Sequence, residues 1–411
     1  MSDLHRSRPS RRVKAALAVA LGLSLTACGG AAAGGGSSSG SGGDSIKVGL
    51  LISQTGVYSP IGQEMKRAVD LYMDEHGNKL GGRKAEVVAA DDAGNPETAK
   101  QKAKELIGRD QVDVVTGIIS SPVGATVAKE AAASKVPVVI ANAGANGITA
   151  GDVSPYVWRA AFSTHQLGYS AGLYAAEHHG KTGAVLMGAD YAGGTEVLAG
   201  FLAGYKAAGG SDPLAKIMTP FGKTQNFQPY LAKIPSQAKF VYAFYAGGEA
   251  ITFVKNWDQF GYKAKFPLIG AQNLTDEDVL PAIGDAAIGV TTVGVYSPAL
   301  DNDANKVFVE LWRKKYNAKP SIIAVQTWDA MQLIDQAAAK VEGDVTAESL
   351  AKAFPNAGTV TSPRGDFDLE AKSHNPNQKF YARTLEKKGG EYVNTVVATV
   401  PADKVVSQPG S

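Results

Sequence analysis

Short, nearly continuous apolar runs punctuate the chain from residue 46 onward, and amphipathic stretches separate them. Ile46–Ile52 reads as a buried strand, and similar runs recur at Ala85–Ala90, Val112–Thr116 and Val136–Ala141. Between them, Gly62–Glu75, Pro96–Ile107 and Val123–Ala133 carry helical spacing, with Pro96 placed where a helix start suits it. Strands that alternate with helices predict βαβ units and a parallel sheet buried on both faces. The pattern pauses over 143–155 and then starts again. Strands are predicted at Ala184–Met187, Phe240–Phe244, Pro267–Gly270 and Ile288–Val293, and helices at Thr195–Ala207 and Ala250–Phe260. Helices at Ala304–Tyr316 and Ile322–Lys340 follow. The tail then changes character, with Gly365–Leu369, Phe380–Leu385 and Tyr392–Val400 alternating like short strands. The pattern therefore predicts an α/β protein of two successive doubly wound, Rossmann-like lobes, with a late return of the chain.

In open α/β sheets ligands bind beyond the carboxyl ends of strands. The positions that follow the predicted strands are 53–61, 91–95, 117–122, 142–146, 188–194 and 246–249, and they are rich in Gly, Ser, Asn and Tyr. Two such lobes facing each other would line a cleft with hydroxyls, backbone amides and rings. Ser120 and Ser121 precede Pro122 at an expected helix start, so their hydroxyls and the adjacent N–H groups suit either a ligand carboxylate or an ordinary N-cap. Tyr58, Tyr191, Phe227 and Tyr245 fall in or near the cleft loops, where rings bury an apolar ligand; Phe227 and Tyr245 suit core packing as well.

The N-terminus changes the picture. Basic residues Arg6, Arg8, Arg11, Arg12 and Lys14 border and enter an apolar run, Val13–Leu25, which ends in Leu25-Thr26-Ala27-Cys28. A transmembrane helix needs about 20 apolar residues, more than this run supplies. The segment reads instead as a bacterial secretion signal over residues 1–27 that ends in a lipobox, with Cys28 as the lipid-modified first residue of the mature chain. Residues 28–45 are a Gly/Ser-rich flexible tether. Removing residues 1–27 takes away five basic residues and Asp3, which turns a net charge of +2 into −2. The mature body lacks the basic patch that nucleic-acid binding requires. Cys28 is the single cysteine, so neither a disulfide framework nor a thiolate metal site is available.

Catalytic motifs are missing where they are suggested. Gly180-Lys181-Thr182 and Gly222-Lys223-Thr224 lack the first glycine of a phosphate loop, with Ala175 and Ile217 in its place. Adjacent His178 and His179 do not have the spacing of a zinc helix, and no G-x-S-x-G elbow occurs. No enzyme activity, cofactor or metal is expected.

Several segments resemble the leucine/isoleucine/valine-binding type of ABC-importer substrate-binding proteins. They are Lys47-Val48-Gly49-Leu50 with Gly56 and Gly62, Leu80-Gly81-Gly82-Arg83, Asp91-Asp92 with Asn95-Pro96, Val112–Gly117 with Ser120-Ser121, and Val136-Pro137-Val138. Ala324–Ala330 and Ser362-Pro363-Arg364-Gly365 fit near the end, and the resemblance spans about residues 46–400. Asn142-Ala143-Gly144-Ala145, Tyr242-Ala243-Phe244 and His374-Asn375-Pro376 look closer to members that bind aromatic carboxylates.

The resemblance implies the type I periplasmic-binding-protein fold, a clamp of two lobes joined by three crossover segments. Residues 46–161 with 296–366 would form the N-terminal lobe, 162–295 with 367–400 the C-terminal lobe, and 401–411 a tail. It also implies ligand contacts from the backbone of Ala143, Gly144 and Ala145, from Tyr191 over the ligand, and from Glu249, which aligns with the carboxylate that neutralises a ligand ammonium. Ala145 stands where amino-acid-binding members carry a threonine. Glu249 thus favours an amino acid, and Ala145 an aromatic or other non-amino carboxylate. The implied partners are a small carboxylate-bearing molecule, a membrane permease and the lipid anchor, for a monomer held outside the cytoplasm at the cell membrane. A sensor that presents its closed form to a membrane receptor needs the same clamp.

Overall fold

The computed structural model of the chain describes residues 45–409. The predicted signal, Cys28 and the tether as far as Asp44 lie outside the described residues.

The first lobe is built on a six-stranded sheet. Its elements in chain order are β1 (Ser45–Ile52), α1 (Ser59–Glu75), β2 (Lys79–Leu80), β3 (Arg83–Asp91), α2 (Pro96–Lys104), β4 (Val114–Gly117), α3 (Ser121–Ser134), β5 (Val138–Ile140) and β6 (Val157–Arg159). The strand order is β2-β3-β1-β4-β5-β6, parallel except for the two-residue β2. Alternation along β1 divides its side chains between two cores: Val48, Leu50 and Ile52 pack with α1, and Leu51 packs with α2 and α3.

The second lobe contains α4 (Thr164–His178), β7 (Ala184–Asp190), α5 (Ala192–Ala207), β8 (Ala215–Pro220), α6 (Gln228–Leu231), β9 (Phe240–Phe244), α7 (Gly247–Gln259), β10 (Leu268–Ala271), α8 (Leu280–Ile283) and β11 (Thr291–Gly294). The chain then returns to the first lobe. Of α9 (Asp303–Tyr316), α10 (Ile322–Ala339) and α11 (Ala347–Ala353), α10 packs beside α1. A short hairpin of β12 (Asp368–Leu369) and β13 (Pro376–Asn377) leads to β14 (Phe380–Lys388) and β15 (Glu391–Val400), which complete the second sheet. That sheet runs β15-β14-β11-β10-β9-β7-β8, with β14 and β15 antiparallel. The chain thus passes between lobes three times, at 160–163, 295–302 and 354–379.

Each sheet reverses its winding once. In the first, β3 and β4 lie on opposite sides of β1; in the second, β8 and β9 lie on opposite sides of β7. Loops after β1 and β4, and after β7 and β9, diverge at these switch points and leave a crevice between them. The fold therefore brings the loops bearing Tyr58 and Ser120, and those bearing Tyr191 and Glu249, to one crevice in each lobe.

Two motifs that the sequence separates by about 35 residues meet at the crossovers. Buried Arg364, from Ser362-Pro363-Arg364-Gly365, pairs through Nε with buried Asp329 of α10 at 2.8 Å. The Asp329 carboxylate also accepts from the Ser362 hydroxyl at 2.8 Å. The Arg364 guanidinium donates to Gln378 Oε1 and to the Ala160 carbonyl, so one side chain ties two of the three passages to a helix. Removing one partner would strand a buried charge, which is far costlier than the pair's net worth.

Helix α4 was not anticipated. It is buried on nearly every side between α5 and the second sheet, so it shows no amphipathic period. Glycines let it approach α5 closely: a Cβ on Gly172 would lie 2.2 Å from the Phe201 carbonyl, and one on Gly204 2.1 Å from that of Tyr169. Gly172→Ala is accordingly expected to lower stability by about 1–3 kcal/mol, the usual cost of overpacking, as read from urea unfolding. An unchanged midpoint would mean that the helices can separate freely.

Strand β6 lies just past the segment where the pattern pauses, and edge strand β8 (Ala-Lys-Ile-Met-Thr-Pro) also escaped the apolar reading. The predicted strand Gly365–Leu369 shrinks to Asp368–Leu369, because Pro363 and Arg364 form a turn closed by a Gly365 N–H bond to the Ser362 carbonyl. Helices α1, α5 and α7 begin three residues earlier than expected. Their opening Ser-Pro, Ala-Gly-Gly and Gly-Gly-Glu segments carry little helical signal.

Candidate ligand cleft

Tyr58 is the residue preceding α1, and the loop that carries it is fixed from below. Asp91, at the end of β3, accepts from the Gln54 N–H at 2.8 Å, the Ala93 N–H at 2.9 Å and the Thr55 hydroxyl at 2.7 Å. Fully buried Asp92 accepts from the Ser53 hydroxyl at 2.5 Å and the Gly94 N–H at 2.7 Å. Gly94, at φ +68°, runs against the Tyr58 ring, and a Cβ there would lie 3.2 Å from Cδ2. The Asp91-Asp92 pair thus fixes the loop that carries the Tyr58 ring.

Ser120 is the N-cap residue of α3, yet its side chain makes no capping bond. Its hydroxyl is buried and has no hydrogen-bond partner among the described residues. Buried polar atoms are normally satisfied, so a free hydroxyl at an uncapped helix N-terminus is suited to an anion. Ser121 occupies the first turn of the same helix. The following loop, 143–146, is organised by fully buried Arg159, whose guanidinium donates to the carbonyls of Gly144 (3.3 Å), Phe162 (3.2 Å) and Ala145 (2.8 Å). The carbonyls of Gly144 and Ala145 are therefore occupied. The N–H of Ala143 is also taken, by the Ile118 carbonyl.

On the second lobe a cavity of about 430 Å³ opens between the two lobes. Tyr58, Tyr191, Phe221, Phe244, Tyr245 and Glu249 are among its lining residues. Tyr191 precedes α5, and its ring stacks on Phe221 with centroids 4.3 Å apart. Tyr245 is buried, with its hydroxyl 3.4 Å from that of Thr219. Glu249 lies in the first turn of α7 and accepts the Gly222 N–H at 2.9 Å through Oε1. Burial raises the Glu249 pKa, and the Gly222 hydrogen bond opposes that rise. Burial, and then the Glu249 charge, push the Tyr58 hydroxyl above its ordinary value. Burial does the same to Tyr191, and Tyr58, Glu249 and Glu196 add to it. These shifts place Tyr58 of the first lobe and Tyr191 and Glu249 of the second within electrostatic reach of each other.

Of the residues singled out from sequence, Tyr58, Tyr191, Tyr245 and Glu249 line the cavity. Ser120, Ser121 and Ala143–Ala145 lie at the carboxyl ends of β4 and β5, on the switch-point edge of the first lobe, but not in the cavity wall. Phe227 takes the core packing that its sequence position also suited: it is fully buried and meets Tyr245 and Phe253 edge-on. Sequence reasoning missed Phe221 and Gly222 because it missed β8, whose end they follow.

A family profile described as "Periplasmic binding protein" matches residues 45–391. Leu/Ile/Val-binding protein homolog 6 of Brucella melitensis is 31% identical over 363 residues, covering 87% of this chain and 92% of that protein. A solute-binding protein of an ABC transporter from Rhodopseudomonas palustris, in complex with 3,4-dihydroxybenzoic acid, superposes with a TM-score of 0.82 at 32% identity, covering 89% of this chain and 99% of the other. Another from R. palustris, in complex with benzoate, gives a TM-score of 0.79 at 37% identity over 88% and 99% of the two chains. Together with the two-lobed clamp and its crevice, these matches establish that the chain belongs to the periplasmic binding protein family and is a solute-binding protein of the ABC-importer type.

Proposed function

We propose that the importer ligand is an aromatic carboxylate bearing a ring hydroxyl, held between the lobes and released to a membrane permease. The ring-lined wall of the cleft carries this reading. Tyr58, Tyr191, Phe221, Phe244 and Tyr245 surround about 430 Å³, within the range of small-molecule pockets, and offer stacking faces to an aromatic ring. The Ser120 hydroxyl and the N-terminus of α3 would receive the ligand carboxylate, with Ser121 and the 143–145 backbone beside them. Glu249, already steadied by Gly222, would accept from a ring hydroxyl at the opposite end. Arg159 occupies two carbonyls that could otherwise receive an ammonium, which favours a ligand without one. The relatives bound to benzoate and to 3,4-dihydroxybenzoate support the same class.

Lipid attachment at Cys28, with the tether behind it, would keep a monomeric clamp at the outer face of the membrane and raise its effective concentration near the permease. No helix among the described residues is long and apolar enough to cross a membrane.

Calorimetry with benzoate, 4-hydroxybenzoate, 3,4-dihydroxybenzoate, leucine, isoleucine and valine tests the ligand class. The hydroxybenzoates are expected to bind at about 1 μM or tighter, near −8 kcal/mol, and the amino acids not at all. Glu249→Gln should weaken 4-hydroxybenzoate roughly tenfold, about 1.4 kcal/mol, while leaving benzoate unchanged. Binding of leucine that vanishes in Glu249→Gln would overturn the proposal and identify Glu249 as an ammonium partner.

A further inference from the structure

Glu196 belongs to α5 of the second lobe, five residues beyond Tyr191, but its carboxylate is engaged with the first lobe. Oε2 accepts the backbone N–H of Asn146 at 2.8 Å and the hydroxyl of Thr164 at 2.5 Å. Asn146 lies on the loop after β5, whose Ala143, Ala145 and Ile148 pack into the first lobe's core. Thr164 opens α4, which packs against α5 and the second sheet. The Asn146 side chain answers from the other direction: Oδ1 accepts the His165 N–H at 3.0 Å and lies 3.0 Å from the Thr164 hydroxyl. The Thr164 N–H in turn donates to the Gly144 carbonyl. One carboxylate oxygen therefore fastens the candidate ligand loop of one lobe to the helix that begins beside Tyr191 in the other.

A carboxylate suits this position. Hydrogen bonds to an ionised acceptor are about twice as strong as neutral ones, and one oxygen can receive both donors. Its charge also faces the Arg159 guanidinium, which is fully buried and otherwise meets the neutral carbonyls of Gly144 and Ala145 on the same loop and of Phe162 on the first crossover. Glu196 is not among the residues that line the cleft. Its bond to Asn146 joins a loop of the first lobe to a helix of the second, so it contributes free energy to the arrangement in which the two are docked. A contact of that kind shifts the population of the closed state.

We propose that Glu196 is the latch of the clamp, a positioning residue that holds the 143–146 loop against the second lobe and slows ligand release without touching the ligand. The proposal rests on the closing-clamp reading above, but its primary test needs no ligand. Small-angle scattering and amide exchange are measured on the ligand-free chain as wild type, Glu196→Ala and Glu196→Gln. Glu196→Ala is expected to raise the radius of gyration and speed exchange at the Asn146 amide at least tenfold. Glu196→Gln keeps an acceptor oxygen and should restore most of the protection. The melting temperature should stay close to wild type in both, which separates a lost latch from a damaged fold. Unchanged scattering and unchanged Asn146 exchange in Glu196→Ala would overturn the latch. With a bound aromatic carboxylate, Glu196→Ala should also release it about tenfold faster at a similar association rate. Wild-type protein that binds none of the carboxylates would defeat the ligand reading and leave the ligand-free comparison to judge the latch.

Discussion

Replacing Tyr191 with alanine is expected to weaken binding of an aromatic carboxylate about 100-fold, roughly 2.7 kcal/mol. The ring stands at the second lobe's switch point, stacked on Phe221 at 4.3 Å and near Phe244 at 6.4 Å. Truncation removes one wall of the cavity and frees Phe221, which is already 37% exposed, to leave its place. The substitution is clean in one respect: Tyr191 makes no side-chain capping bond, so the start of α5 does not depend on it. Tyr191→Phe keeps the stacking face and isolates the hydroxyl; it should lose tenfold or less. Calorimetric titration of the three proteins decides the matter. Affinity in Tyr191→Ala within threefold of wild type would take the ring out of the site.

The second large effect concerns pH and sits where the lobes meet. Glu64 of α1 accepts the Ser321 N–H at 3.1 Å, and Asp276 of the second lobe accepts the neighbouring Ile322 N–H at 3.0 Å. Two carboxylates from different lobes thus share the N-terminus of α10, and Arg383 holds the other Asp276 oxygen at 3.2 Å. Burial, joined by the Asp276 charge and opposed by the Ser321 hydrogen bonds and Arg67, raises the Glu64 pKa to about 7. Burial also raises the neighbouring carboxyls of Glu277 and Asp278, each facing the Asp276 charge. Between the ordinary glutamate value and 7, folded Glu64 holds a proton that the unfolded chain has released. Its contribution is therefore complete below about pH 4.5 and is lost as pH rises through 7, for a total on the order of 3 kcal/mol. Wild type should melt higher at pH 5.5 than at pH 8. Glu64→Gln mimics the protonated form, so it should flatten that difference and gain stability at pH 8. An equally steep pH dependence in Glu64→Gln would show that Glu64 is not the titrating group.

Both lobes were legible because parallel strands buried on two faces are written as unbroken apolar runs, such as Ile46–Ile52 and Phe240–Phe244. The switch-point loops followed from the strands, which is why Tyr58, Tyr191, Tyr245 and Glu249 could be named in advance. What stayed hidden had a physical cause in each case. Helix α4 has no polar face to mark its period. Strand β8 lies on a sheet edge with alternating exposure, and with it went Phe221. Phe227 is close in sequence to the cleft loops but turns inward, a choice made by Tyr245 and Phe253, which lie far along the chain. Glu64 and Glu196 look like ordinary charges on helix surfaces, and only tertiary packing gives them partners: Glu64 the Ser321 N–H at the start of α10, and Glu196 the Asn146 N–H of the facing lobe.

Val57, beside Tyr58, lines the cleft and is 70% exposed, across the opening from Phe221. Apart from Cys28, outside the described residues, the chain has no thiol. A cysteine introduced at Val57 would therefore be the one reactive sulfur in the body, at a point whose surroundings change as the lobes approach. Environment-sensitive dye attached there would turn the same molecule into an optical probe for its own ligand, with no competing thiol among the described residues.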